Sequence, residues 1–248
     1  MTPDRLGVVR LTLVSLVSIL CWTCGAVFFG VMGALLLPLR RHGVHRLGQR
    51  WFKRALRIYV AILGGFNIAE CDYRGFEKLR QQTGGYIVAP NHPAMWDVVF
   101  LLSKVEPMNC IFKASLIRNP FFFGGAMLAG LIPDAPAIRM VRRALEVLGT
   151  GGRVLFFPEG TRTRKREGPL NALHGSMALV ARQAQVLVFP VVVRTDSDYL
   201  SKGWPVWRLP RLKTRLSMSV GEPLICGPDE SAADFNARLR AVYLNSTT

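Results

Sequence analysis

Residues 11–39 form a run of 29 positions without a single charged side chain. An uncharged, mostly apolar stretch of about 18 or more residues reads as a membrane-embedded helix. Arg5 and Arg10 precede the run, as basic residues precede a secretory signal. A signal's apolar region, however, is only about 7–15 residues long and ends at a small-residue cleavage site. Here the apolar text continues through Phe28, Phe29, Leu35, Leu36 and Leu37, so the sequence predicts a retained anchor. As one straight helix the run would measure roughly 43 Å against a hydrocarbon core of about 30 Å. It therefore either tilts and protrudes, or breaks near Gly25, Gly30 or Gly33 into a re-entrant hairpin, and the sequence leaves both forms open.

The charge comes immediately afterwards. Arg40, Arg41, Arg46, Arg50, Lys53, Arg54 and Arg57 fall within 18 residues that contain no Asp or Glu. Val44, Leu47, Trp51, Ala55, Ile58 and Ile62 recur between them at helical spacing. This pattern predicts a basic amphipathic helix lying among lipid headgroups, with Trp51, Phe52 and Tyr59 as interfacial aromatics. The competing expectation is an ordinary surface helix packed on the following domain. The basic excess places this side of the anchor, and the chemistry that follows, at the cytoplasmic face of the membrane. The whole chain of 248 residues carries 32 Lys+Arg against 16 Asp+Glu, a net charge of +16, while half of it is hydrophobic. That apolar content excludes disorder as the main state. Basicity implies an anionic partner, whether nucleic acid, membrane or an acidic carrier protein. A positive mean hydropathy beside it favours the membrane, and no nucleic-acid partner is expected. A later basic run, Arg208, Arg211, Lys213 and Arg215, is read as a membrane-facing or solvated patch.

From about Asn67 the text alternates short β-rich runs with longer helical ones. Strands are expected over 86–89, 110–112, 154–157, 186–193 and 216–220, and helices over 96–102, 116–129, 140–148, 173–182 and 232–243. The implied fold is an α/β domain with a central, mostly parallel sheet flanked by helices, preceded by N-terminal membrane-embedded and amphipathic helices. Residues 1–65 would form the anchor and basic helix, and residues 66–248 the second domain. The five cysteines, Cys21, Cys24, Cys71, Cys110 and Cys226, do not describe a disulfide framework. Cys21 and Cys24 lie inside the uncharged run and read as small apolar residues of that helix. No His or Cys grouping has zinc-ligand spacing, so no metal is expected.

Two polar constellations leave predicted strands. The first is Asn91-His92-Pro93-Ala94-Met95-Trp96-Asp97. Within one regular helix His92 and Asp97 would stand roughly 140° apart. They can meet only if His92 precedes the helix and folds back over its first turn, for which Pro93 at the first helical position is suited. A carboxylate on one imidazole nitrogen fixes the tautomer and leaves the other nitrogen as a base. The alternative for the same residues is a loop histidine and a capping aspartate. The second constellation is Phe156-Phe157-Pro158-Glu159-Gly160-Thr161-Arg162-Thr163-Arg164. It lies where open α/β sheets place their ligands, at the carboxyl ends of strands. Gly160 permits a tight turn, and Arg162 offers a bidentate fork for phosphate or carboxylate. Arg164, Lys165 and Arg166 read as a solvated basic turn.

With Val188-Phe189-Pro190-Val191-Val192 these segments resemble the blocks of the glycerolipid acyltransferases, the lysophosphatidate acyltransferase (PlsC-like) enzymes. An H-x-x-x-x-D block is followed about 65 residues on by F-P-E-G-T-R, and a V-x-P block stands about 30 beyond. The resemblance covers roughly residues 67–223. It implies an acyltransferase in which His92 is the general base for an acceptor hydroxyl and Asp97 orients it, with direct attack on an acyl thioester and no acyl-enzyme. It also implies an acceptor site at Asn91, Glu159, Gly160, Thr161 and Arg162, with Arg162 and Lys113 near phosphate and Pro190 shaping the wall. Acyl-ACP or acyl-CoA would be the co-substrate, with no other cofactor. Membrane lipids and a lyso-lipid acceptor would be the remaining partners. One block departs from the pattern. The stretch Gly130-Leu131-Ile132-Pro133-Asp134-Ala135-Pro136 has no Arg where the family carries one, and Arg139 comes later. The acceptor thus stands open between lysophosphatidate and another lyso-lipid, such as a lyso-amino-lipid. No G-x-S-x-G, Walker A or G-x-G-x-x-G motif offers another chemistry. A non-catalytic basic membrane-surface protein would leave His92, Asp97 and Glu159 without a role.

Overall fold

The computed structural model describes residues 42–115, 129–204 and 213–245, together with Ala126 and scattered positions between 9 and 32. Most of the uncharged run therefore lies outside the described residues. Among the described residues no helix is long and apolar enough to cross a membrane.

The elements are α1 (His42–Gly65), β1 (Ala69–Arg74), α2 (Phe76–Gln81), β2 (Tyr86–Pro90), α3 (Trp96–Lys104), β3 (Asn109–Phe112), β4 (Ile132–Pro133), α4 (Ala137–Gly149), β5 (Arg153–Leu155), α5 (Gly175–Ala184), β6 (Leu187–Thr195), β7 (Thr214–Val220) and α6 (Ala232–Asn245). Seven strands form one sheet in the order β1-β7-β6-β2-β5-β3-β4. All neighbours are parallel except β6 and β7. The sheet is mostly parallel, as expected, with β1 and β7 reversed at one edge.

Every residue of β2 is buried, and the two-residue period of a strand divides its side chains between two layers. Tyr86 and Val88 point into a layer closed by Leu56, Tyr59 and Leu63 of α1 and by Trp96, Val99 and Phe100 of α3. Ile87 and Ala89 point into the opposite layer, closed by Met140, Ala144 and Leu148 of α4, Met177 and Val180 of α5, and Phe235, Leu239 and Tyr243 of α6. β6 divides the same way, with Phe189, Val191 and Val193 on one side and Val188 and Val192 on the other. The i, i+4, i+8 spacing in α4 and α6 aligns each triplet along one helical face.

Three elements carried no readable signal. β1 alternates Ala69, Cys71 and Tyr73 with charged residues at the sheet margin, β4 has two residues, and α2 has six. The helix expected over 116–129 falls outside the described residues apart from Ala126 and Ala129. α1 also corrects the sequence reading. Tyr59 is buried in the core and Phe52 packs against it, so neither is an interfacial aromatic. The stripe at Leu47, Trp51 and Ile58 is open instead, each residue more than half exposed, with Arg50, Arg54 and Arg57 exposed beside it. At about 100° per residue the open stripe and the buried stripe are adjacent sectors of one helix. α1 is thus at once a core helix of the domain and an amphipathic surface.

Candidate active site

β2, β3, β5 and β6 run in one direction, so their carboxyl ends lie along one edge of the sheet. The chain leaves them into Asn91 and His92, into Lys113, into the Phe156–Arg164 stretch, and into a loop at 196–204. Residues far apart in sequence meet there because parallel strands send every exit to the same side.

His92 and Asp97 meet. His92 Nδ1 lies 2.9 Å from Asp97 Oδ2, with Asp97 fully buried and the imidazole 15% exposed. The helix starts at Trp96, as the expected 96–102 span has it, and Pro93 precedes it instead of being its first residue; residues 93–95 form the bend that turns the ring back over the first turn. Asp97 also accepts from the backbone N–H of Ala94 at 3.1 Å and of Val98 at 2.6 Å. Capping and histidine orientation, alternatives in the sequence, coexist in one carboxylate. In the neutral ring, the tautomer with its N–H on Nδ1 facing Asp97 carries the lone pair on Nε2. The imidazole leans on the Phe157 ring, centroids 4.3 Å apart.

Glu159 is 1% exposed, and its partners are all within the protein. It accepts from the His92 N–H at 2.8 Å, the Thr163 hydroxyl at 2.9 Å and the Asn171 N–H at 3.0 Å. Thr163 returns a bond from its N–H to the His92 carbonyl at 2.7 Å. Asn91 is engaged inward as well, giving Nδ2 to the Val193 carbonyl at 3.0 Å and taking the Val193 N–H on Oδ1 at 2.6 Å. Both residues therefore lie beneath the site and join loops. Pro190 is buried on β6 in register with Ala89, part of the floor. Tyr243 reaches under the same floor and donates to the Ala89 carbonyl at 2.7 Å. Burial first, then the Glu159 carboxylate, holds its phenol well above the ordinary range, so the hydroxyl remains a donor.

At Gly160 the backbone has φ +62°, and a Cβ would come within 2.8 Å of the His174 ring. The turn requires glycine on both counts. Arg162 donates from Nη1 to the carbonyls of Leu200 (2.8 Å) and Ser201 (3.1 Å). The Leu200 carbonyl also receives the Met95 N–H at 3.2 Å. Thr161 Oγ1 receives Lys202 Nζ at 3.2 Å. Of the more distant cations, Arg164 pairs with Glu167 and Lys165 with Asp198. In the later basic run Lys213 and Arg215 both pair with Glu70, while Arg208 and Arg211 lie outside the described residues. Arg139 is exposed at the start of α4. Three further groups meet here that no motif marks. Asn171, which bonds Glu159, Arg162 and Arg164, follows a Pro-Leu turn without a motif. Lys202 and the Leu200 carbonyl sit in an irregular loop that nothing in its composition marks. Among the described residues no group of three His, Cys, Asp or Glu is placed to hold a metal ion.

A family model described as Acyltransferase matches residues 70–194, half of the chain, and contains both constellations. The chain belongs to the acyltransferase family. Curated relatives include the 1-acyl-sn-glycerol-3-phosphate acyltransferase of Streptococcus pneumoniae, 28% identical over 150 residues that cover 58% of this chain and 54% of that protein. The enzyme of the same name from Pseudomonas aeruginosa is 26% identical over 179 residues, 69% of this chain and 65% of that one. The chain therefore spans between about half and two thirds of the length of these relatives. Among solved structures, the 1-acyl-sn-glycerophosphate acyltransferase PlsC from Thermotoga maritima superposes with a TM-score of 0.70 over 96% of both chains at 21% identity. This acyltransferase thus shares the fold of that structure, and its matched family segment holds His92, Asp97 and Glu159 together.

Proposed function

We propose that this acyltransferase is a membrane-bound O-acyltransferase moving a fatty acyl chain from a thioester, on coenzyme A or acyl carrier protein, to the hydroxyl of a lyso-lipid of the 1-acylglycerol-3-phosphate type. The observation that carries the proposal is His92, whose Nδ1 is held by a fully buried Asp97 while the ring keeps an exposed edge. Nε2 takes the acceptor proton as its oxygen attacks the thioester carbonyl. Collapse of the tetrahedral adduct breaks the C–S bond, and the proton on Nε2 goes to the departing sulfur. The new ester and a free thiol are the products, and Asp97 stabilises the imidazolium between the two transfers. The names of the curated relatives support the acceptor class. The open stripe of α1 with its arginines, and the uncharged run before it, support attachment to the cytoplasmic face of a membrane. Residues 1–65 would seat the protein on lipid and residues 66–248 would carry the chemistry, with α1 shared between the two.

The test is membrane-bound protein with labelled acyl thioesters and a panel of lyso-lipids that includes lysophosphatidate, lyso-amino-lipids and monoacylglycerol. Wild type should esterify lysophosphatidate, and His92→Ala should lose at least about 10²-fold in kcat. Undiminished transfer by His92→Ala would end the proposed mechanism. Absence of transfer to every lipid, with retained binding to anionic vesicles, would favour a non-catalytic membrane-surface role.

A further inference from the structure

α4 carries a basic face outside the site described above. Met140, Ala144 and Leu148 bury one stripe of the helix against the sheet. At about 100° per residue Ile138, Arg139, Arg142, Arg143 and Glu146 fall together on the opposite side. All five are exposed, Ile138 by 77%. Arg143 pairs with Glu146 at 2.8 Å, whereas Arg139 and Arg142 make no ion pair among the described residues. Beside them lies a hollow of about 270 Å³ at the edge of the sheet, floored by Ile132, Pro133 and Met140 and rimmed by the three arginines. An apolar floor inside a cationic rim is complementary to an acidic protein surface that presents an apolar side chain.

Two placements decide what such a face meets. α4 packs on the layer of Ile87 and Ala89, while α1 packs on the layer of Tyr86 and Val88. The sheet thus stands between the two basic helices, and a bilayer that receives the open stripe of α1 leaves α4 turned toward water. Its partner is then a soluble anion rather than a lipid surface. α4 also begins at the carboxyl edge of the sheet, because β4 runs parallel to β3 and ends at Pro133, four residues before the helix. Asp134 ties the two strand exits together, its N–H donating to the Phe112 carbonyl and its Oδ1 accepting the Ala114 N–H, both at 2.8 Å. Three strand spacings, roughly 14 Å, separate β4 from β2, whose exit carries His92. A thioester at the end of a flexible prosthetic arm covers that distance while its carrier stays outside the site.

We propose that the exposed face of α4, centred on Ile138, Arg139 and Arg142, docks the acidic carrier protein that brings the acyl thioester. The proposal rests on the acyl-transfer function given above and specifies its donor side, with the acyl group arriving from water and the acceptor from the membrane.

The experiment compares wild type with Ile138→Asp and with the double variant Arg139→Glu/Arg142→Glu, using the same acyl chain on acyl carrier protein and on coenzyme A. The double variant should lose at least about tenfold in kcat/KM with acyl carrier protein, through KM. With acyl-CoA it should stay within about twofold of wild type, which also verifies its fold. Ile138→Asp should show the same split between donors. Wild-type kcat/KM with the carrier should fall steeply with salt, and the double variant should flatten that slope. Equal losses with both donors would overturn carrier docking. A loss with acyl-CoA alone would overturn it by assigning the arginines to the coenzyme's phosphates, and lost binding to anionic vesicles would do so by making α4 a lipid surface. Unchanged kinetics with both donors would refute it. Titration of holo acyl carrier protein in detergent needs no turnover and keeps the two proposals separable. Salt-sensitive binding to wild type that the double variant loses upholds docking even where no lipid is acylated. Normal transfer from acyl-CoA without carrier binding refutes docking alone.

Discussion

Glu159→Gln separates a brace from a substrate ligand. The carboxylate receives three donors on two oxygens, His92 N–H and Thr163 hydroxyl on Oε1 and Asn171 N–H on Oε2. An amide has one oxygen and one NH₂ group. If its oxygen faces His92 and Thr163, the NH₂ confronts the Asn171 N–H, leaving a buried donor unpaired at about 1–3 kcal/mol. The opposite orientation strands the His92 N–H, while the Thr163 hydroxyl can turn and accept from the NH₂. The surviving bonds also lose their charge assistance, so the total cost is about 2–4 kcal/mol. With a urea slope of about 2 kcal/mol per M, the unfolding midpoint should fall by about 1–2 M. The His92 backbone is one of the three donors, and a displacement near 1 Å at a catalytic group costs about 10²-fold. kcat should therefore drop by about that factor while KM for the acceptor moves less than threefold. A Glu159 that touched the acceptor would behave oppositely, with raised KM and unchanged stability. A midpoint shift below about 0.3 M with a tenfold rise in KM would refute the brace.

Asp97→Asn should lower kcat by about 10²–10³ with KM within threefold, because an amide cannot both accept from Ala94 and Val98 and hold the Nδ1–H tautomer of His92; steady-state kinetics with the Asn and Glu variants checks this. Burial pushes the Cys71 and Cys110 thiols up to about 12, so at pH 8 about one in 10⁴ of each is thiolate. Iodoacetamide should label both at least a hundredfold faster after unfolding than before, and rapid native labelling of Cys110 would contradict its place in the core. The Gly227 N–H first, and Arg238 next, hold the Glu230 carboxyl below its ordinary range. A depressed folded value contributes stability above the unfolded pKa that is lost as pH falls through the folded one. Glu230→Gln should therefore be less stable than wild type at pH 7 and converge with it in acid, read by thermal melts across pH.

The positions of the central strands and the way His92 could reach Asp97 were legible because their causes are local. β2 and β6 are continuous apolar runs, and a proline bend beside a histidine is visible in five letters. The depth of Asn91 and Glu159 was not legible. Nothing near them shows that Val193 and Asn171, 102 and 12 residues away, will supply partners that turn these side chains inward. Lys202 was hidden for the same reason, since its proximity to Thr161 depends on where β6 ends in the sheet. Tyr59 and Phe52 were misassigned because one helix can carry two adjacent apolar sectors, and a helical period alone does not say which of them faces the core.

That double-faced helix has a mechanical consequence. Leu56, Tyr59 and Leu63 are set in the same core as Trp96 and Phe100 of α3, and Lys53 ties α1 to Glu106 just beyond α3 at 3.3 Å. α1 therefore cannot act as a swivel. Leu47, Trp51 and Ile58 are thereby joined to the His92 ring through a single packed unit, since α3 carries the Asp97 that holds it. A mutation that loosens the packing of α1 on α3 should therefore disturb the Asp97 carboxylate and the ring it holds without touching either residue.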